Sequence, residues 1–139
     1  HHHKSNKELI DKEKVALKNE KLSPTSDAPI SIPELLFACP VAAEFSLKGI
    51  ETMHDVVSHA RTLAPMIGIT SQSYEAAHKR LGALRAAATV WAIMQFHDRI
   101  RAVGAYFRSI TTGSKSADFS PERLIRRLAT AQSYPSMNL

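Results

Sequence analysis

The stretch from Leu84 to Gln95 constrains this chain more than any other, because it is apolar nearly all the way round. A helix without a polar face must be covered on every side, so the remaining residues have to supply a shell for it. Its most apolar part, Ala86 to Phe96, lies between Arg85 and His97. That is too short to cross a bilayer, which takes about 20 apolar residues. The element reads as the buried central helix of a helical domain.

Helix signals surround it. Ser31 opens a first helix, with Pro33 and Glu34 in its first turn and Ile32, Leu35, Leu36 and Cys39 facing inward. Pro40 interrupts it, and a short helical piece follows through Ala42 to Phe45. Thr52 then caps a new helix, with Asp55 three residues on as the reciprocal member of a capping box. Met53, Val56, Val57, Ala60, Leu63 and Ala64 give it a core face, and Pro65 and Gly68 end it.

A further helix starts near Ser71, with Tyr74, Ala77 and Leu81 inward and a Glu75/Lys79 pair outward. Gly82 separates it from the central helix. Beyond that, Ile100, Val103, Phe107 and Ile110 line one side of another helix, which ends or loosens at Thr112-Gly113-Ser114. Ser120-Pro121-Glu122 starts the last one, with Leu124, Ile125, Leu128 and Ala131 inward. Period-two alternation and Asn-Gly or Asp-Gly hairpin turns are absent. The expected fold is all-α, a compact bundle of five or six helices with short connections.

A chain of 139 residues holds one ordinary domain. His1 to His3 read as the remnant of an affinity tag. Lys4 to about Ala28 is mostly Lys, Glu, Asp, Ser and Asn, and buries too little to offset the entropy of ordering it. Residues 1–28 are therefore expected to be tag remnant and a disordered or frayed linker. Residues 29–139 are expected to be the helical domain, with its compact part from Pro29 to Ser133. The charged start lacks the apolar core of a signal peptide. One cysteine, Cys39, makes no internal disulfide, so a reducing cytoplasm is the expected location.

The net charge of +5 is unevenly placed. Ala28 to His78 holds two basic residues against five acidic ones, whereas Lys79 to Arg127 holds ten basic against three acidic. Such a basic half suits a polyanionic partner or a solvated outer face. Arg101, Arg108 and Lys115 are spaced by seven and form one stripe if their helix continues. Arg123, Arg126 and Arg127 share a surface of the last helix at i, i+3 and i+4. With small residues between them, these six are the candidate DNA-backbone contacts.

Ile32-Pro33-Glu34-Leu35-Leu36-Phe37 is a short acidic-apolar segment that resembles peptides docking into the bacterial sliding clamp, without the glutamine that usually opens them, and the same residues make a good first core turn. Leu35, Leu36, Phe37 and Tyr106 are thus the candidate protein contacts. His54 and His59 stand five apart and point to different faces of a helix. The sequence has no HExxH, no paired cysteines and no Gly-rich phosphate loop, so no metal, no cofactor and no enzyme activity are expected.

Five segments at matching spacing resemble a known family. These are Ala38-Cys39-Pro40, Leu63-Ala64-Pro65-Met66-Ile67-Gly68-Ile69, the apolar run Ala86 to Gln95, Gly104-Ala105-Tyr106-Phe107-Arg108-Ser109-Ile110, and Asp118-Phe119-Ser120. Together they resemble the C-terminal domain of RepC, the replication initiator of repABC-type plasmids, over roughly Ile32 to Leu128. The chain departs from that pattern at Ala102-Val103, where the family carries Ser-Pro, and at Ala105, where it carries a second Gly. Pro121 to Leu128 is also more basic than the usual apolar run.

The resemblance implies a non-enzymatic partner domain of a two-domain initiator. In such an initiator a separate winged-helix part binds the plasmid origin, and Lys4 to Ala28 would be the interdomain linker. Host replication proteins and a second initiator molecule are the implied protein partners.

Overall fold

The computed structural model describes residues 23–133, and the first 22 residues, which include most of the expected linker, lie outside them. The described residues form seven α-helices and one short 3-10 turn, with no strand among them. In chain order they are α1 (Ile32–Ala38), α2 (Pro40–Glu44), α3 (Met53–Met66), α4 (Ser71–Leu81), α5 (Ala83–Met94), the 3-10 turn His97–Arg99, α6 (Val103–Thr111) and α7 (Pro121–Ser133). The all-α expectation holds, and the count exceeds five or six because Pro40 starts a short helix of its own.

Local chemistry sets the boundaries. The Ser31 hydroxyl accepts a hydrogen bond from the Glu34 N–H, and the Glu34 carboxylate accepts one from the Ser31 N–H, closing a capping box on α1. Thr52 and Asp55 close the same box on α3. Thr70 accepts from Ser73 N–H at the start of α4. Gly82 ends α4 and begins α5 in one residue at φ 92°, a left-handed backbone that favours glycine.

The central helix behaves as its composition requires. Every residue of α5 from Ala86 to Met94 is buried. α5 packs most extensively on α3, then on α4 and α7, and also touches α1 and α2. Alanines at the contacts (Ala60, Ala64, Ala77, Ala86, Ala87, Ala92) let the backbones approach closely. Leu63, Ile93, Val90 and Trp91 fill the spaces left between them. Each large side chain buried this way contributes about 1.5–3 kcal/mol of hydrophobic stabilisation.

Trp91 donates its ring N–H to the Val56 carbonyl at 3.1 Å. Its ring meets His59 edge-on at 5.4 Å between centroids. His59 in turn uses Nε2 on the Ala42 carbonyl at 2.7 Å, tying α3 to α2. Cys39 is buried in the same core, and desolvation pushes its thiol well above the usual range, so it acts as a small apolar side chain.

α6 is the outlying helix and packs mainly on α4. Tyr74 stacks on Phe107 at 6.5 Å, and Phe96 meets Tyr106 edge-on at 6.2 Å. A close backbone approach also holds it in place. A Cβ built on Gly104 would stand 2.6 Å from the carbonyl oxygen of Gly68, in the turn between α3 and α4. Ala105, by contrast, is exposed, which explains why a side chain is tolerated there.

Several details differ from the sequence reading. Met53 is exposed rather than part of the α3 core face, because it stands at the open first turn. Glu75 pairs with Arg61 on α3 and not with Lys79, since the neighbouring helix brings a guanidinium within reach. On α7 Leu124 and Ile125 are buried as expected, but Pro121, Glu122, Arg126 and Ala129 are buried with them, while Ala131 is exposed.

Candidate nucleic-acid interface

The six predicted basic residues divide into three situations. Arg101 lies in the bend before α6 and Lys115 in the turn after it, because α6 runs only from Val103 to Thr111. The helical stripe expected from their spacing of seven therefore does not exist. What breaks it is the C-terminal turn, where the Thr112 and Gly113 N–H groups both return to the Arg108 carbonyl, at 3.0 and 2.8 Å. Arg101, Arg108 and Lys115 are nevertheless all exposed, on α6 and its two flanking turns. Arg108 reaches back along the helix, its Nη1 lying 3.6 Å from the Cβ position of Gly104.

Arg127 is exposed on α7. Arg123 is exposed too, but its Nη2 donates to Asp27 at 2.8 Å. The other Asp27 carboxylate oxygen accepts from the Ser120 hydroxyl at 2.8 Å. These bonds from Ser120 and Arg123 hold the Asp27 carboxyl below the usual carboxylate range.

Arg126 is not on that surface at all. Its side chain is fully buried, with Nε 2.7 Å and Nη2 3.0 Å from the two oxygens of Glu34. The remaining donors go to the carbonyls of Ser26, Ala28 and Pro29. The physical reason is compositional: a buried guanidinium needs acceptors for all its N–H groups, and this arrangement supplies a carboxylate and three carbonyls. Arg126 is thus unavailable to a phosphate, and Ser26 to Pro29 are bound to α7 rather than leaving it as a free tether.

Three of the four predicted protein contacts are wholly or partly withdrawn from the surface. Leu35 is buried, so the Ile32 to Phe37 segment is a core turn and not a linear peptide presented to a partner. Tyr106 is half-buried against Phe96. Leu36 is half-buried as well, while Phe37 is 49% exposed and is joined by Phe45 and Leu47 as exposed apolar side chains.

Sequence spacing overlooked Lys79, Arg80 and Arg99, all exposed. Lys79 and Arg80 sit in the last turn of α4, where a cation also suits the helix dipole, and that position was the available signal. Of the ten basic residues from Lys79 to Arg127, Arg85, Arg123 and Arg126 are ion-paired, with Glu122, Asp27 and Glu34. The other seven are exposed and make no ion pair among the described residues. Their charge is left to solvent and partners.

No group of three or more His, Cys, Asp or Glu side chains placed to hold a metal occurs among the described residues. No helix among them is long and apolar enough to cross a membrane.

Residues 31–131, nearly the whole of the described helical domain, match the family model described as the replication protein C C-terminal region. A protein of Rhizobium rhizogenes carrying the name replication protein C is 29% identical over 98 residues. A second, from Sinorhizobium fredii, is 25% identical over 99 residues. Each alignment covers 70% of this chain and 24% of the relative, so the chain spans about a quarter of the length of the curated relatives it matches. No solved structure matches it. With the family model covering well over half of its residues, this chain belongs to the replication protein C C-terminal region family.

Proposed function

We propose that this domain assists origin-dependent initiation in a plasmid replication initiator by holding DNA through its phosphates, without catalysing a reaction. One observation carries the reading: seven exposed cations between Lys79 and Arg127 have no ion-pair partner among the described residues. Unneutralised cations on outer helices and turns release condensed counterions when they meet a phosphate backbone, and that release drives sequence-independent binding. In this reading Arg101, Arg108, Lys115 and Arg127 make the contacts, with Lys79, Arg80 and Arg99 as additions. Origin sequence would be read by a winged-helix part outside this chain, in the reducing cytoplasm where plasmids replicate.

A gel shift of the domain against origin and random duplexes at two salt concentrations tests this. Weak binding to both, falling steeply with salt, is expected. Absence of binding at low salt would end the proposal.

A second reading, a protein-interaction or dimerisation module, draws on the exposed Phe37, Phe45 and Leu47. It expects self-association, or retention of a host helicase, primase or clamp. A strictly monomeric domain that retains none of these would leave it without support.

A further inference from the structure

The segment leading into the domain is held to α7 at two points of unequal strength. Its backbone is fixed, because the buried Arg126 guanidinium takes the carbonyls of Ser26, Ala28 and Pro29. Its acidic side chain is not. The Asp27 side chain is 56% exposed and Arg123 47% exposed, and an open groove bordered by Asp27, Arg85, Phe119 and Arg123 gives solvent access to the pair.

The Asp27 carboxylate accepts from a guanidinium N–H and from the Ser120 hydroxyl, each at 2.8 Å. These are the donor types that take the phosphate oxygens of nucleic acid. Of the cations expected to meet a phosphate and found on the surface, Arg123 alone is covered in this way among the described residues. Glu122 is not a rival for the role, since both its oxygens are held by Arg85, at 2.9 and 3.2 Å.

We propose that Asp27 is a built-in competitor for nucleic-acid phosphate at Arg123: an autoinhibitory strap contact that a duplex must displace to gain this cation. The inference rests on the DNA-backbone reading above. The two anchoring points make the device reversible. An exposed ion pair is weak and screened by salt, so a phosphate can replace it. The Arg126 bonds keep the strap backbone in place when the carboxylate leaves, so the competitor stays at high effective concentration and returns when DNA dissociates. The strap sets the affinity without any change of fold.

The test compares binding of a labelled random duplex by this chain and by three variants, at several salt concentrations. Asp27→Asn is expected to bind about two- to five-fold tighter, with a salt slope steeper by about one contact. Glu51→Gln removes an equal charge from an exposed acid in the loop before α3 and is expected to give a smaller change. In Asp27→Asn combined with Arg123→Ala the gain is expected to vanish. Thermal unfolding of each variant verifies that the fold is kept. If the chain binds and Asp27→Asn is no tighter than Glu51→Gln, the strap is overturned while the DNA reading stands. If neither the chain nor Asp27→Asn binds duplex at low salt, both fall.

Discussion

The guanidinium of Arg126 lies 2.7 Å from the carboxylate of Glu34, across a sequence separation of 92 residues, and its side chain is wholly out of solvent. Glu34 is also the closing member of the capping box on α1. One carboxylate therefore joins the start of the first helix, the last helix and, through Arg126, the incoming strap.

Removing the cation leaves that carboxylate buried and uncompensated. Arg126→Met is expected to lower the unfolding free energy by about 3–5 kcal/mol in urea titration. Replacing the pair together, Glu34→Met with Arg126→Met, is expected to recover part of the loss. A single variant within about 1 kcal/mol of the original chain would show that the pair is not what holds α7 to α1. For the same reason an Arg126 variant is a poor probe of DNA binding, because lost affinity would report lost folding.

Gly104→Ala tests the close approach of α6 to the α3–α4 turn. The new Cβ would stand 2.6 Å from the Gly68 carbonyl oxygen, a backbone atom that moves only with its turn. A loss of about 1–3 kcal/mol is expected, as for overpacking elsewhere. Ala105→Gly, at the exposed neighbour, is expected to lose only the helix-propensity difference of about 1 kcal/mol. Equal stability of Gly104→Ala and the original chain would refute the contact.

Acid sensitivity follows from three carboxylates held below their ordinary values. Backbone N–H groups of Glu51 and Thr52 lower Asp55, Arg61 lowers Glu75, and Ser120 with Arg123 lowers Asp27. A depressed carboxylate contributes stability that is present above its unfolded pKa and lost as pH falls through the folded value. The unfolded values are near 3.8 for Asp and 4.5 for Glu. Tm is therefore expected to hold from neutral pH to about 5 and to fall below about 4. Asp55→Asn is expected to lower Tm at neutral pH and to make the acid decline shallower, by scanning calorimetry across that range. An unchanged acid slope in the variant would remove Asp55 from the account.

Charge reversal separates the two basic elements. Arg101→Glu with Arg108→Glu changes α6 and its leading bend, and Arg127→Glu changes α7. Each cation that meets a phosphate is expected to reduce the salt slope of duplex binding by about one when lost. Unchanged affinity and slope in both variants at low salt would sink the phosphate reading.

The elements were legible in the sequence because their causes are local. Thr52 with Asp55 closes its capping box within one turn of chain. Leu84 to Gln95 has no polar face to give to water whatever surrounds it, and Ala86 to Met94 are buried accordingly. The family resemblance was legible for a similar reason, since it rests on short segments in order.

The candidate site was less so. A spacing of seven from Arg101 to Lys115 describes one face only while the helix lasts, and α6 ends at Thr111. An arginine at i+3 from another looks like a surface residue unless its acceptors are known. Those of Arg126 come from Ser26, Ala28, Pro29 and Glu34, roughly a hundred residues away in the chain.

By itself, then, the sequence determined that this protein is a helical bundle around an apolar central helix, with a basic second half. Periodicity, caps and side-chain hydrophobicity act within a few residues of where they are written. Only the tertiary structure decided which cations face solvent, which one is buried, and that Asp27 lies against Arg123. Burial and ion pairing depend on what distant segments bring to the same place, and no local pattern encodes that meeting.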